Sequence, residues 1–393
     1  MKNVQKHQPS LGLLITLVGF PQISESIFTP ILPALSHALR VSAGRSQLTL
    51  SVYFVAFALG VLCWGQFADS QGRRPAMLGG LSIYLIGNLG LLISPNFSWL
   101  LGCRLIQAFG ASAGSVVTQT IMRESFTGIT GAKVFANVSA AMALSPSLGP
   151  LIGGAVQTHF GYHHVFSVLV ILAIACLLYA GTRLPETRPT TVQVASWRQQ
   201  AQVLKRLGAD PTVWVYGLLI SGINGILFSY YAEAPFIFES HFGFSALAYG
   251  RLGLLLASAS LLGAILVNRL VTYWSSMQVA LGGLGVSCLA SLGLVATAQF
   301  ALVPGMLSCI FLVFLGLNIT LPTALNRALI GYESVMGSAS GWFSLAYYLA
   351  ISALTYLMSW LHNGQVTTLP IYILGVTLVM TGAYLGLYRR TRQ

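Results

Sequence analysis

Long apolar stretches follow one another along almost the whole chain, and they constrain its fold more than any other feature. A helix that crosses a lipid bilayer needs about 20 mostly apolar residues. Twelve stretches meet this requirement: 11–34, 46–67, 76–94, 99–122, 134–157, 164–183, 212–236, 246–268, 277–298, 302–325, 338–360 and 368–388. The sequence therefore predicts an all-α integral membrane protein with twelve transmembrane helices.

The composition leads to the same interpretation. Charged residues make up 7% of the 393 residues and hydrophobic residues 55%, whereas about 25% of an ordinary soluble protein is charged. So few charges are too few to cover the surface of a soluble chain of this length. The high hydrophobic content also excludes a disordered chain.

The first stretch has features of a secretory signal peptide, because Lys2 and Lys6 precede the apolar run 11–20. No convincing small-residue cleavage site follows, and the apolar pattern continues beyond Pro21. We therefore interpret the segment as a retained first span. Because proline removes a backbone donor, we expect Pro21 to break its helix.

The distribution of basic residues predicts the orientation. If the N-terminus is cytoplasmic, sixteen of the 20 basic residues fall on that side: Lys2, Lys6, Arg73, Arg74, Arg123, Lys133, Arg183, Arg188, Arg198, Lys205, Arg206, Arg269, Arg327, Arg389, Arg390 and Arg392. Arg40, Arg45 and Arg251 fall on the other side, and Arg104 lies within a span. Since cytoplasmic loops are rich in Lys and Arg, we expect both termini in the cytoplasm and the protein in a bacterial inner membrane. A nucleic-acid partner is excluded, because the bases form no single stripe.

A polar, proline-containing segment, 184–211, divides the chain into an N-terminal bundle of six spans (1–183) and a C-terminal bundle of six (212–393). Its piece 197–207 is either an amphipathic helix on the cytoplasmic leaflet or a solvated linker. All five cysteines fall within spans and the histidines do not cluster with acids, so we expect no disulfide, no metal site and no cofactor.

The run GQFADSQGRR lies between the second and third spans, with Gly65, Asp69, Gly72, Arg73 and Arg74 at its fixed positions. Its glycines permit a tight turn between two helices. The run resembles the G-x-L-a-D-r-x-G-r-[RK] loop of the major facilitator superfamily. This resemblance implies two six-helix bundles and a secondary transporter that is not an enzyme.

The pair Arg123-Glu124 follows the fourth span. It resembles the Arg-Asp pair of drug/proton antiporters in that superfamily, with Glu124 in place of Asp. The resemblance implies that Arg123 joins Asp69 in a cytoplasmic gate.

The fourth span contains the run RLIQAFGA, with Arg104 inside the membrane. The run resembles the superfamily's R-x-x-Q-G-x-G motif, although Ala108 occupies the place of a glycine. An arginine within a span is costly and indicates a functional group. We expect Arg104 to act in proton coupling or gating; the alternative is an arginine that only bonds neighbouring backbone carbonyls.

The fifth span contains the run PSLGPLIGG, with Pro146, Gly149, Pro150, Gly153 and Gly154. It resembles the G-P-x-x-G-G motif found mainly in exporters of the superfamily. Paired Gly and Pro give a bent helix with a smooth face on which another helix can rock. A generic small-residue packing face is the alternative.

The first span ends in the run SESIFTPILP, which resembles the T-D-x-Y-x-P-x-L-P signature of the bicyclomycin-resistance type of these antiporters. Ser26 occupies the place of the family's Asp, and the acid, Glu25, is one residue earlier. One residue is about 100° around a helix, and Glu25 lies roughly 21 Å along its span. We predict Glu25 as the main proton and cation site. Glu233, in span seven, is a secondary proton-coupling candidate, unless it only caps an outer helix end.

The resemblance implies export of small organic compounds, drug-like or amphipathic, in exchange for protons by alternating access. The substrate cavity is expected between the bundles near the bilayer midplane. Its candidate lining residues are Glu25, Tyr53, Phe54, Asn224, Tyr230, Tyr231 and Asn318. We expect a monomer whose partners are the small-molecule substrate, protons and membrane lipid.

Other functions remain to be weighed. One specific polar metabolite such as a carboxylate siderophore is an alternative substrate, since Arg104 offers a positive charge. A proton-coupled importer could use the same fold, although the exporter motif argues against it. A membrane enzyme would need a catalytic cluster, and a channel would need a filter-like repeat; the sequence has neither.

Overall fold

The computed structural model describes residues 8–126, 128–189 and 197–390, and α-helices account for most of them. The helices in this part of the chain are α1 (Leu11–Ser26), α2 (Leu32–Ala38), α3 (Ala43–Gln71), α4 (Arg73–Leu92), α5 (Phe97–Ser125), α6 (Gly128–Phe160), α7 (His163–Arg183), α8 (Trp197–Ala209), α9 (Pro211–Pro235), α10 (Ala246–Leu270), α11 (Ser276–Gln299), α12 (Val303–Arg327), α13 (Met336–Leu361) and α14 (Thr368–Arg390). Lys2, Lys6, Arg392 and the part 190–196 of the predicted linker lie outside the described residues.

The twelve predicted spans are confirmed. Twelve helical segments of the described chain are long and apolar enough to cross a membrane, with α1 and α2 together forming the first. Large apolar side chains such as Ile86, Ile171 and Leu289 are exposed on these helices. Such exposure is typical of a surface that lipid covers.

The first span is interrupted later than expected. Helix α1 continues through Pro21 to Ser26, and a 3-10 turn, Thr29–Ile31, separates it from α2. The expected break at Pro21 is therefore wrong. Membrane helices tolerate an internal proline when neighbouring groups compensate for the backbone hydrogen bond that it removes. The break instead precedes Pro30, which is the second residue of the 3-10 turn.

Two groups of buried side chains form the two six-helix bundles. One group draws on helices between residues 13 and 184, and the other almost entirely on residues 203 to 387. The bundles meet where α3 packs against α13 and where α6 packs against α10. We call this contact region the seam. The domain boundaries at 183 and 212 stay a prediction.

An even number of crossings places the start of α1 and the end of α14 on one side, which we call the basic side; the other is the far side. Helix α8 lies on the basic side and contacts α9 and α13. Its Val203 and Leu207 are buried in the second core, and Trp342 of α13 donates to Gln200 at 2.9 Å. Of the two alternatives for 197–207, the structure shows a helix, and its apolar residues pack against the second bundle.

Candidate functional site

A cavity of about 950 Å³ opens between the bundles on the basic side. We call it the vestibule. Its walls come from α3, α5, α8 and α13, and their lining residues include Leu62, Gly65, Gln66, Ser115, Gln119, Gln200, Val203, Ser340, Ser344, Tyr347 and Tyr348. Tyr347 and Tyr348 lie about three helical turns along α13 and form the inner end. Neutral polar and aromatic side chains therefore line the inner part of the vestibule.

An ionic network lies at the mouth of the vestibule, on the first bundle. Arg73 donates to Asp69 at 2.6 Å and to Glu124 at 2.5 and 3.0 Å. Gly72 permits this arrangement, because it ends α3 with a positive φ of 115°, which residues other than glycine rarely adopt. Helix α4 therefore restarts at once, and Arg73 points back toward Asp69.

The expected partner of Asp69 was Arg123, and the structure instead joins Asp69 to Arg73. Arg123 is exposed on the vestibule wall. The difference follows from spacing, since Asp69 and Arg73 are four residues apart across the Gly72 turn, and Arg73 also reaches Glu124 of α5. Glu124, the residue that departs from the family's Asp, is the partner that links the loop to α5.

Glu186 supports this loop and was missed in the sequence. Its carboxylate accepts from the backbone N–H groups of Arg73 and Arg74 at 2.9 and 3.0 Å, at the start of α4. Partial burial raises the pKa of Glu186, but backbone donors including Arg188, Arg73 and Arg74 outweigh it and lower that pKa below its usual range. A carboxylate is favourable at a helix N-terminus. Contact between 186 and the loop, over 110 residues apart in sequence, leaves no local sequence signal.

Arg104 is fully buried on α5, in the first bundle. Its guanidinium lies 4.1 Å from the Phe28 ring centre and 4.5 Å from the Tyr53 ring centre. It donates to Gln107 at 2.5 Å and to the Thr49 carbonyl at 3.3 Å. One of its terminal nitrogens, Nη2, has no hydrogen-bond partner. Cation–π contacts and hydrogen bonds thus hold the charge in place, with one donor left over.

Glu25 lies close to Arg104, at the centre of the molecule. It is 5% exposed, its Oε1 has no hydrogen-bond partner, and it interacts electrostatically with Arg104 and Tyr53 of the first bundle. It also interacts with Tyr231 and Tyr348 of the second bundle. Tyr348 lines the vestibule. A carboxyl group with spare hydrogen-bonding capacity therefore lies where both bundles and the inner end of the vestibule meet.

Ser26, the residue at the place of the family's Asp, faces elsewhere. Its hydroxyl bonds the Gln22 carbonyl at 2.7 Å and abuts Gly149 of α6. One position along α1 is about 100° of rotation, which is enough to direct Glu25 toward Arg104 instead. The shifted acid thus reaches the centre while the serine packs against the fifth span.

An aromatic cluster closes the inner end of the vestibule. Phe54 lies 4.5 Å from Phe228 and 6.4 Å from Tyr348, measured between ring centres, so the cluster spans both bundles. Of the substrate candidates, Tyr53, Phe54, Tyr230 and Tyr231 are all buried around this centre. Tyr347 and Tyr348 were not predicted, although they are the aromatic residues that line the open cavity.

The two predicted asparagines lie apart from this cluster. Asn224 donates to the Ile220 carbonyl and Asn318 to the Phe314 carbonyl, both at 2.8 Å. Each amide therefore bonds its own helix, four residues back. Neither residue lines the vestibule in this conformation.

The Gly/Pro motif places α6 between one helix of each bundle. A side chain at Gly149 or Gly153 would collide with the backbone of α1 at Ile27, and one at Gly154 with the Ala246 carbonyl of α10. The Pro146 carbonyl accepts from Tyr231 at 3.1 Å, while Pro150 packs against Gly250 of α10. The small residues thus allow close backbone contact on two faces of one helix, including the face at the seam.

Glu233 lies on the far side of the seam. It is 1% exposed, and its carboxylate lies 2.8 and 2.9 Å from Nδ1 of His362 and accepts from Gln47 at 2.5 Å. Gln47 belongs to α3 of the first bundle, whereas His362 follows α13 of the second. The side chain bonds other side chains rather than capping a helix end. Sequence reasoning missed both partners, which lie 186 and 129 residues away.

In the part of the chain that the structure describes, twelve apolar spans, a cavity between two bundles and buried charged groups are features of a multi-pass membrane transporter. The match to known proteins gives the family. The chain belongs to the Major Facilitator Superfamily, whose model matches residues 14–355.

Individual relatives agree with this family. The chain is 32% identical to a protein described as an uncharacterized transporter of Rickettsia bellii (strain RML369-C), over 95% of both chains. It is 30% identical to a chloramphenicol resistance protein of Pseudomonas aeruginosa, over 91% of this chain and 85% of the relative. It is 26% identical to Multidrug resistance protein D of Escherichia coli (strain K12), over 67% and 66%. Proteins named for drug resistance are thus among its relatives.

Proposed function

We propose that the protein is a monomeric, proton-coupled exporter of small organic compounds in a bacterial inner membrane. In this proposal the basic side faces the cytoplasm, in accordance with the excess of Lys and Arg in its loops. The vestibule then receives substrate from the cytoplasm and is the inward-open state of an alternating-access cycle. Protons from the other side drive the return.

The position of Glu25 carries this proposal. A proton-coupled exporter needs a group that binds a proton from the opposite side of the membrane and whose protonation changes when substrate binds. Glu25 lies where both bundles meet. Its unpartnered Oε1 leaves room for a proton or a substrate donor. Burial favours the neutral acid and a nearby cation favours the carboxylate, so Arg104 makes the charge of Glu25 responsive to what occupies the cavity.

We assign separate roles to the other candidates. Arg104 of α5 couples Glu25 to α4, because it donates to Gln107, which in turn donates to Asn88 of α4 at 2.5 Å. The network of Asp69 and Arg73 gates the vestibule mouth. Pro146, Pro150 and the glycines of α6 form the surface on which the bundles rock.

The vestibule favours amphipathic substrates that carry at most one positive charge. Its ionic groups are concentrated at the mouth, and its inner end is formed by Tyr347, Tyr348 and Ser344. Aromatic faces bind planar and cationic groups alike, and hydroxyl groups supply hydrogen bonds. The resistance proteins of Pseudomonas and Escherichia coli among the relatives support a drug-like class that includes chloramphenicol.

Transport in proteoliposomes tests the proposal. We expect a pH gradient to drive accumulation of at least one compound from a panel that includes chloramphenicol and lipophilic cations. Glu25→Gln should reduce the gradient-driven rate by about tenfold or more, as loss of a coupling energy of this kind does. Glu333→Gln, in an exposed turn on the basic side where the carboxylate accepts from the Gly331 N–H, is the matched control. Gradient-independent transport by the parent, or full coupling in Glu25→Gln, contradicts the proposal.

A further inference from the structure

The carboxylate of Glu233 ties three helices together on the far side. Gln47 donates to it from α3, and the imidazole of His362 lies within 2.9 Å of both of its oxygens from the end of α13. Glu233 itself belongs to α9. Its side chain is 1% exposed and that of His362 15%. A buried carboxylate is stable only when hydrogen-bonded in this way.

The same end of the seam is closed by direct contacts between α3 and α13. Ser359 donates to the Gly44 carbonyl at 2.5 Å, and Ser352 donates to the Ser51 carbonyl at 2.8 Å. A Cβ atom at Gly44 would lie 2.8 Å from the Ser359 carbonyl oxygen. The backbones therefore touch, and Glu233 adds the third helix to a contact that joins both bundles.

Other ionisable groups at this end do not share the carboxylate. Arg45 lies over the Phe97 ring, and His241 contacts Phe242. Glu239 follows on the π-helical turn after α9, and His37 is exposed at the end of α2. Within the described residues, Glu233 is hydrogen-bonded to Gln47 and His362 alone.

We propose that Gln47 and His362 are positioning residues that close on Glu233 as a latch and hold the far side shut. The inference rests on the proposed alternating-access function and assigns two residues that the central site does not use. When the far side is closed, the Glu233 carboxylate is hydrogen-bonded to Gln47 and His362. When the far side is fully open, water hydrogen-bonds it instead. A half-open state leaves it buried without donors, which is costly. The latch therefore favours two discrete states, as a transporter gate requires.

Thiol labelling tests the latch without any substrate. A cysteine replaces Ser51, which is buried one helical turn below Gln47 at the α3/α13 contact, in a chain whose five native cysteines are changed to serine or alanine. A membrane-impermeant maleimide is added to one side at a time in oriented vesicles. We expect slow far-side labelling in this parent and labelling about tenfold faster in Gln47→Leu or His362→Ala, as loss of a charge-assisted hydrogen bond implies.

The two variants also test whether one latch is involved. The fold-increases in labelling rate multiply when two substitutions act independently, but not when both residues hold the same carboxylate. The double variant should therefore be labelled more slowly than the product of the two single increases predicts. His241→Ala, an exposed far-side histidine, should label like the parent. If Gln47→Leu fails to reach the membrane, Gln47→Asn keeps the amide one methylene shorter and should still speed labelling.

Unchanged far-side labelling in both single variants overturns the latch, and so do effects that multiply. Loss of chloramphenicol transport with unchanged labelling points to the central site instead. Labelling that responds as expected, in a protein whose transport proves independent of protons, leaves the latch standing and removes the proposed coupling. The two proposals thus fail separately.

Discussion

The two ends of the seam are held by different kinds of contact. On the far side, Gln47, Glu233 and His362 bind across the two bundles. On the basic side, Arg73 holds Asp69 and Glu124 within the first bundle, and the vestibule separates it from the second. The far-side contacts therefore depend on the conformation of the seam. The basic-side network survives its opening and keeps the gate residues ordered while the vestibule is open.

Removal of Arg73 should have the largest effect on this comparison. Arg73→Met removes the cation that Asp69 and Glu124 share; the Arg73 side chain is 2% exposed, that of Glu124 17% and that of Asp69 44%. We expect a loss of stability of about 2–4 kcal/mol, measured as a lower midpoint of thermal unfolding in detergent, together with loss of transport.

The neighbouring Arg74→Met is the control, because Arg74 is exposed and its side chain bonds the Gly181 carbonyl rather than an acid. Equal destabilisation by both variants contradicts a special role for the network around Arg73.

A larger residue at Gly154 should force the far side apart. Gly154 lies on α6 at the contact with α10, and a side chain there meets the Ala246 backbone. Overpacking costs about 1–3 kcal/mol, and opening of the far side relieves it. Gly154→Val should therefore speed far-side labelling of a cysteine at Ser51. Gly102→Val is the control and should not change the labelling rate, because no atom lies within 4 Å of its added Cβ. If Gly154→Val is labelled as slowly as the parent, the proposed role of α6 is contradicted.

The contrast between the two ends also separates what the sequence predicts from what it does not. The spans follow from apolar length alone, and the Gly72 turn and the Gly154 contact follow from residues that lack a side chain. These features are local. The partners of Glu233 come from another bundle and another loop, so their pairing arises only when the seam forms.

The gate shows the same limit at close range. The resemblance pairs Asp69 with Arg123, whereas the structure pairs Asp69 with Arg73. The choice depends on the direction in which Gly72 aims the start of α4, with φ at 115°, and on Glu186, which holds that start in place.

Glu186 offers a smaller and pH-dependent test of the basic side. Its pKa is lowered in the folded protein, so the stability it contributes is present at neutral pH and is lost as the pH falls through that lowered pKa. Glu186→Gln should lower the unfolding midpoint by about 2–4 °C at neutral pH. The gap to the parent should close in acid. A gap that is constant with pH indicates that the charge is not what holds the loop.

A substitution that weakens the contact between α8 and the second bundle should have the smallest effect. It tests whether α8, as a wall of the vestibule, is held by the second bundle alone. Trp342 donates to Gln200 at 2.9 Å, while Arg206 donates to the Gly331 carbonyl and lies 4.4 Å from the Tyr332 ring centre. Trp342→Phe removes one neutral hydrogen bond, worth about 0.5–1.5 kcal/mol, and leaves the Arg206 contacts. We expect transport within about twofold of the parent, with faster hydrogen exchange confined to α8. Faster exchange in the Asp69 loop as well would mean that α8 also supports the first bundle, and the two ends of the seam would then be less independent than their contacts imply.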